Sequence, residues 1–132
     1  MATIRRFEDL EIWKKARSLS NLIYPLTFKD PISSNFRFKG QIRGYCGSIM
    51  DNVAEGFERG SRLKFINALT TAKGEIGELK SELFIGLDNL YFSEKDFQEF
   101  YQLADEITKM VTSPVIHLNK TDFKGQKFKG RK

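Results

Sequence analysis

Apolar residues return every three or four positions through most of this chain, the spacing that lines one face of an α-helix. Over residues 7–24 the recurring positions are Leu10, Trp13, Ala16 or Arg17, Ser20, and Ile23 or Tyr24. Glu8, Asp9 and Glu11 fall in the first turn, where the helix dipole favours negative charge, and Pro25 ends or kinks the run. Residues 27–35, with Asp30-Pro31 and Ser33, Ser34 and Asn35 as N-cap choices, read as a loop. A second period over residues 36–57 uses Phe38, Ile42, Tyr45 or Cys46, Ile49, Val53 and Ala54. Another side of it carries Gly40, Gly44, Gly47 and Ser48. Glycine costs a helix about 1 kcal/mol against alanine, so this cluster predicts close approach by a neighbouring helix. The third period, Phe65, Leu69, Ala72, Ile76, Leu79, Leu83, Leu87 and Leu90, is close to a heptad seam and follows Ser61 as N-cap. The fourth opens on a capping box at Ser93 and Asp96 and continues through Phe97, Phe100, Tyr101, Ala104, Ile107 and Val111 to Ile116 or Leu118, with Pro114 fraying its end.

Strand-type alternation and hairpin signals are missing. Four long amphipathic helices with short connections predict an all-α fold: an antiparallel up-down-up-down four-helix bundle over residues 1–119. Residues 120–132 turn to lysine, glycine and lone phenylalanines and read as a flexible basic tail.

Composition narrows the chemistry. The 132 residues are 40% hydrophobic and 30% charged, an ordinary globular balance. One cysteine, Cys46, excludes an intrachain disulfide framework, and one histidine, His117, excludes two-histidine metal sites. No run is apolar enough to span a bilayer, and charges follow Arg5 and Arg6 too closely for a signal peptide. A cytoplasmic protein without a membrane partner is the expectation. The net charge of +5 sits wholly in residues 120–132, where six basic side chains face Asp122. Residues 1–119 carry 16 basic and 16 acidic side chains and are formally neutral.

No nucleophile is placed beside a base: Cys46 falls mid-helix near an apolar face, and His117 near a frayed end. The expectation is no enzyme, no cofactor and no metal site. Glu75, Glu78 and Glu82 share spacing on one helix but read as a solvated face. In the second helix Gln41, Ser48, Asn52 and Glu55 form one polar stripe leading to Gly56. A buried polar network fixes one packing register, so a structural or interface role leads over a ligand site. Two basic clusters remain, Arg37, Lys39 and Arg43 at the start of that helix and Arg59, Arg62 and Lys64 around its exit. They stand at opposite ends, and solvated surface is the plain alternative for each.

The segments FEDLEIWKKA at 7–16, Tyr24, QIRGYCGSIMDNVAEGFERG at 41–60, FINAL at 65–69 and GELKSEL at 77–83 together resemble the proteins encoded in intervening sequences of bacterial 23S ribosomal RNA genes. The resemblance covers roughly residues 7–118. The family pattern usually has Arg or Lys and then Ala where this chain has Gly44 and Tyr45. The resemblance implies a four-helix bundle that often closes into a homopentameric ring. Accessory proteins of diversity-generating retroelements look like relatives; they form such rings and bind a reverse transcriptase and RNA through a basic surface. The function expected from this likeness is that of a non-enzymatic homo-oligomer that binds structured RNA. Arg37, Lys39, Arg43, Arg59, Arg62 and Lys64, with Lys124, Lys127 and Lys129 of the tail, would meet phosphates. Arg43 has a second reading, as an ion-pair partner for Asp51 or Glu55 of a neighbouring subunit. The rival function is a protein–protein scaffold with no direct nucleic-acid role, which the neutral body favours.

Overall fold

A computed structural model describes residues 4–112 of the chain. The tail with Lys124, Lys127 and Lys129, and also Pro114 and His117, lies outside the described residues. Within them are four α-helices and no strand: α1 (Glu11–Ile23), α2 (Phe36–Glu58), α3 (Arg62–Asp88) and α4 (Glu94–Thr112). α1 starts later than the periodicity predicts. Phe7–Asp9 form a separate 3₁₀ turn, and Leu10 is extended (φ −71°, ψ 130°), so of the three predicted first-turn acids only Glu11 occupies the first turn of α1. The connection to α2 is not a plain loop. It holds two short 3₁₀ helices, Tyr24–Phe28 and Ile32–Ser34. Asn35 caps α2 by accepting from the Phe38 amide, Ser61 caps α3 by accepting from Lys64, and the Asp96 amide donates to Ser93 Oγ.

α2 packs on α1 and α3, and α4 packs on α1 and α3, so the four helices close around one core. Ile42, Val53, Phe57, Phe65, Leu69, Ile76, Leu79, Leu83 and Ile107 are buried at its centre, as the apolar periods place them. Two surface ion pairs tie α4 to its neighbours, Lys80–Asp105 at 2.9 Å and Lys15–Glu106 at 2.5 Å.

Glycine marks the close approaches, though not at the expected positions. A Cβ built on Gly56 would stand 2.3 Å from the Ala68 Cβ, so α3 packs against α2 there with no room for a side chain. At Gly86 it would stand 2.2 Å from the Phe92 ring. The cluster in α2 behaves differently: Gly40, Gly44 and Gly47 have nothing within 4 Å of such a Cβ, and Gly74 and Gly77 of α3 are equally open. Among the described residues no helix fills that face. Gly60 (φ 74°) and Leu90 (φ 61°) turn the chain out of α2 and α3 through the left-handed region.

Candidate nucleic-acid interface

The first basic cluster is assembled by the start of α2 and the 3₁₀ segment that precedes it. Tyr24, Pro25, Leu26, Thr27 and Phe28 curl into a 3₁₀ helix because Pro25 removes an amide donor just after α1. Thr27 is buried, and its hydroxyl donates to the Tyr24 carbonyl at 2.7 Å. That leaves the Thr27 oxygen to accept from Arg43 Nε at 2.8 Å. The hydrogen bond fixes the guanidinium against two rings, 4.9 Å from the Tyr24 centroid and 4.5 Å from that of Phe28. One turn earlier, Lys39 donates to the Ser33 carbonyl at 3.1 Å and its ammonium stands 4.9 Å from the Phe36 ring centre. Phe28 and Phe36 are 68% and 77% exposed, far more than large aromatics usually are. Asp30 is engaged by the Ser33 and Ser34 hydroxyls, which hold its carboxyl below the usual carboxylate range. Arg37 is exposed, and its charge acts on Glu82, a buried residue of α3. Burial pushes the Glu82 carboxyl up, and Arg37 offsets part of that rise. The α3–α4 turn braces this end: Asn35 Nδ2 donates to the Tyr91 hydroxyl at 2.6 Å, and Phe38 packs edge-on against the Tyr91 ring.

The second cluster is organised otherwise. Arg59 is paired with Glu55 at 3.1 Å on the same helix. Arg62 is half-buried, and its Nε is a buried donor without a hydrogen-bond acceptor. Lys64 is exposed beside a shallow polar hollow of about 210 Å³ between Asn52, Glu55, Arg59 and Asn67. The structure places Arg37, Lys39 and Arg43 in the first turns of α2, Lys39 and Arg43 toward the 3₁₀ segment and Arg37 toward Glu82 of α3, and it places Arg59, Arg62 and Lys64 around the turn from α2 into α3.

The polar stripe divides. Asn52 bridges helices by donating to the Ser48 carbonyl at 3.0 Å and to Glu75 Oε1 at 2.8 Å. Glu75 has its carboxyl pushed up by burial, an effect that the Asn52 hydrogen bond partly offsets. Gly56 is the close-packing point with α3, whereas Glu55 faces solvent and Gln41 and Ser48 are half-buried. Elsewhere, the Cys46 thiol is buried, and burial pushes its pKa up to about 12. At neutral pH it stays a protonated small hydrophobe. Among the described residues no three His, Cys, Asp or Glu side chains gather as metal ligands, and no helix is long and apolar enough to cross a membrane.

Charge alone does not single out Tyr24, Thr27, Phe28 and Phe36, which complete the first cluster. A signal for them is nevertheless present, since residues 24–43 interleave aromatics with Lys29, Arg37, Lys39 and Arg43. A loop over residues 27–35, as the sequence predicts, would not hold Phe28 in place; the 3₁₀ helix Tyr24–Phe28 does.

The chain matches the family model described as 23S rRNA-intervening sequence protein over residues 8–113. No curated protein matches it. Among solved structures it is similar to a Bacteroides thetaiotaomicron protein of unknown function from the S23 ribosomal protein family. The two superpose with a TM-score of 0.71 at 22% identity, covering 79% of this chain and 97% of that one. That likeness speaks for the fold alone. The family match spans most of the chain, and the protein belongs to the 23S rRNA-intervening sequence protein family.

Proposed function

We propose that this member of the family is a cytoplasmic, non-enzymatic, self-assembling bundle that binds structured RNA through the positively charged end of α2. One observation carries the reading: residues 24–43 hold Lys29, Arg37, Lys39 and Arg43 against Asp30 alone. The rest of residues 1–119 holds 12 basic and 15 acidic side chains, so the neutral body is +3 at this segment and −3 elsewhere. Phosphate binding of this kind is electrostatic and weakens steeply with salt. The neighbour order α1–α2–α3–α4 supports an antiparallel up-down-up-down arrangement. The open glycines of α2 and α3 support close approach by a second copy, with a closed ring, a pentamer by family resemblance, as the assembly.

The test is a titration of a fluorescein-labelled RNA hairpin at 50 and 200 mM salt with the full chain, using R37Q/K39Q and the tail variant K124Q/K127Q/K129Q. Affinity that falls with salt and is lost in R37Q/K39Q supports the reading. Binding that depends on the tail variant alone defeats it. Light scattering of Gly44→Leu reads the assembly separately, and an unchanged mass counts against self-association through the glycine face. The second reading, a protein–protein scaffold, draws on the exposed Phe84 and Ile85 of α3. It leads if neither RNA arm responds.

A further inference from the structure

The arrangement of Phe28 and Phe36 is hard to explain as solvated surface. Both rings are mostly exposed, yet each carries a cation over it that is itself tied down by a hydrogen bond, Arg43 through Thr27 and Lys39 through the Ser33 carbonyl. Tyr24 lies beside Phe28, their ring centres 6.1 Å apart, and a shallow hollow of about 430 Å³ opens between Ser20, Asn21, Tyr24, Pro25 and Phe28. A face meant for an apolar protein partner gains nothing from arginine and lysine over its rings, whose desolvation such a partner would have to offset. A strand with negative phosphates and flat, unpaired bases matches both features, because every base has a π-face and every linkage a charge. Base-paired RNA matches only the cations, since its bases are stacked inside the helix.

Building on the proposed RNA binding, we infer that the Tyr24–Phe28–Phe36 end is a stacking platform for unpaired nucleobases, with Arg43 and Lys39 holding the flanking phosphates. The class of ligand is then single-stranded RNA, including the loops and bulges of a folded RNA, read without a preference for particular bases. Arg43 has two tasks in this site: it holds Phe28 and Tyr24 in a fixed attitude and presents positive charge over them.

The experiment compares two fluorescein-labelled probes, a 12-nucleotide oligouridylate and a 12-base-pair RNA duplex, by anisotropy with the full chain and with Phe28→Ala/Phe36→Ala. Both rings are exposed, so circular dichroism melting of the variant should match the parent. The expected result is oligouridylate binding weakened roughly ten-fold or more, from stacking losses on two rings, and duplex binding unchanged. If both probes bind the parent and the variant weakens neither, or weakens both equally, the platform is wrong while the RNA reading stands. If neither probe binds the parent, both readings fall. If the variant instead lowers the mass in light scattering, the rings belong to an interface between copies and the platform is overturned.

Discussion

The start of α2 and the turn from α2 into α3 carry three of the predicted basic residues each and use them in opposite ways. At the first end Arg43 and Lys39 are half-buried beside exposed rings, oriented by neutral acceptors, the Thr27 hydroxyl and the Ser33 carbonyl, with no ion pair among the described residues. At the last end Arg59 is neutralised by Glu55, and Arg62 is half-buried with its Nε shut away from solvent. The difference lies in what the neighbouring segments offer. A proline-bent 3₁₀ helix supplies a hydroxyl and aromatic faces, while the close contact of Gly56 with Ala68 draws the helices together and leaves only a shallow polar hollow beside Glu55, Arg59 and Lys64. Equal counts of arginine and lysine do not make equal surfaces.

Four tests break or sharpen this contrast. The largest effect is expected from Gly56→Val, which drives side-chain atoms into Ala68 and should cost about 1–3 kcal/mol by overpacking. Urea unfolding would show the midpoint falling, and an unchanged midpoint would mean that the tight end is not tight. Next come paired charge reversals. Arg37→Glu with Lys39→Glu should weaken hairpin RNA binding by about ten-fold or more, and Arg59→Glu with Lys64→Glu by far less. Equal losses in the titration would erase the distinction between the ends.

A smaller gain should follow Leu90→Gly. The Tyr91 amide donates to the Gly86 carbonyl and that of Leu90 to the Leu87 carbonyl, a Schellman closure that places Leu90 left-handed and 84% exposed. Relieving that conformation should stabilise the fold by roughly 0.5–1 kcal/mol in a thermal melt, bringing this turn level with its counterpart at Gly60. The smallest effect belongs to Glu82→Gln. The Glu82 carboxyl is pushed above the ordinary 4.5, so folding favours its protonated form. Its ionisation therefore costs stability as pH rises through the raised value, and acidification restores it. Glu82→Gln should melt slightly higher than the parent at pH 7, with the gap closing toward pH 4.5.

Much of this was legible in the chain. The core positions follow from the three-and-four spacing, and the N-caps at Asn35, Ser61 and Ser93 are where polar residues precede apolar periods. Glu8 and Asp9 mislead because acids before a helix look alike whether the chain enters it directly or through a 3₁₀ turn. Gly40, Gly44 and Gly47 mislead for a different reason. Small residues permit a close approach, and spacing does not say whether any element makes it; here no other element among the described residues comes within 4 Å of a Cβ built at these positions. The three basic residues at the start of α2 were legible as charge, but their partners were not. Thr27 is sixteen residues from Arg43, and only the bend at Pro25 brings it within hydrogen-bonding distance.

The split of formal charge within a neutral body has a further consequence. With +3 in residues 24–43 and −3 across the rest of residues 1–119, that body has no monopole to be drawn by but a sizeable dipole. Near a polyanion it experiences a torque before it experiences a pull, so it turns this end forward while still approaching. In the full chain the net +5 of residues 120–132 adds a long-range pull to this orienting effect. A molecule built this way would tell a dense phosphate backbone from a sparse one by how sharply the field changes across its own width.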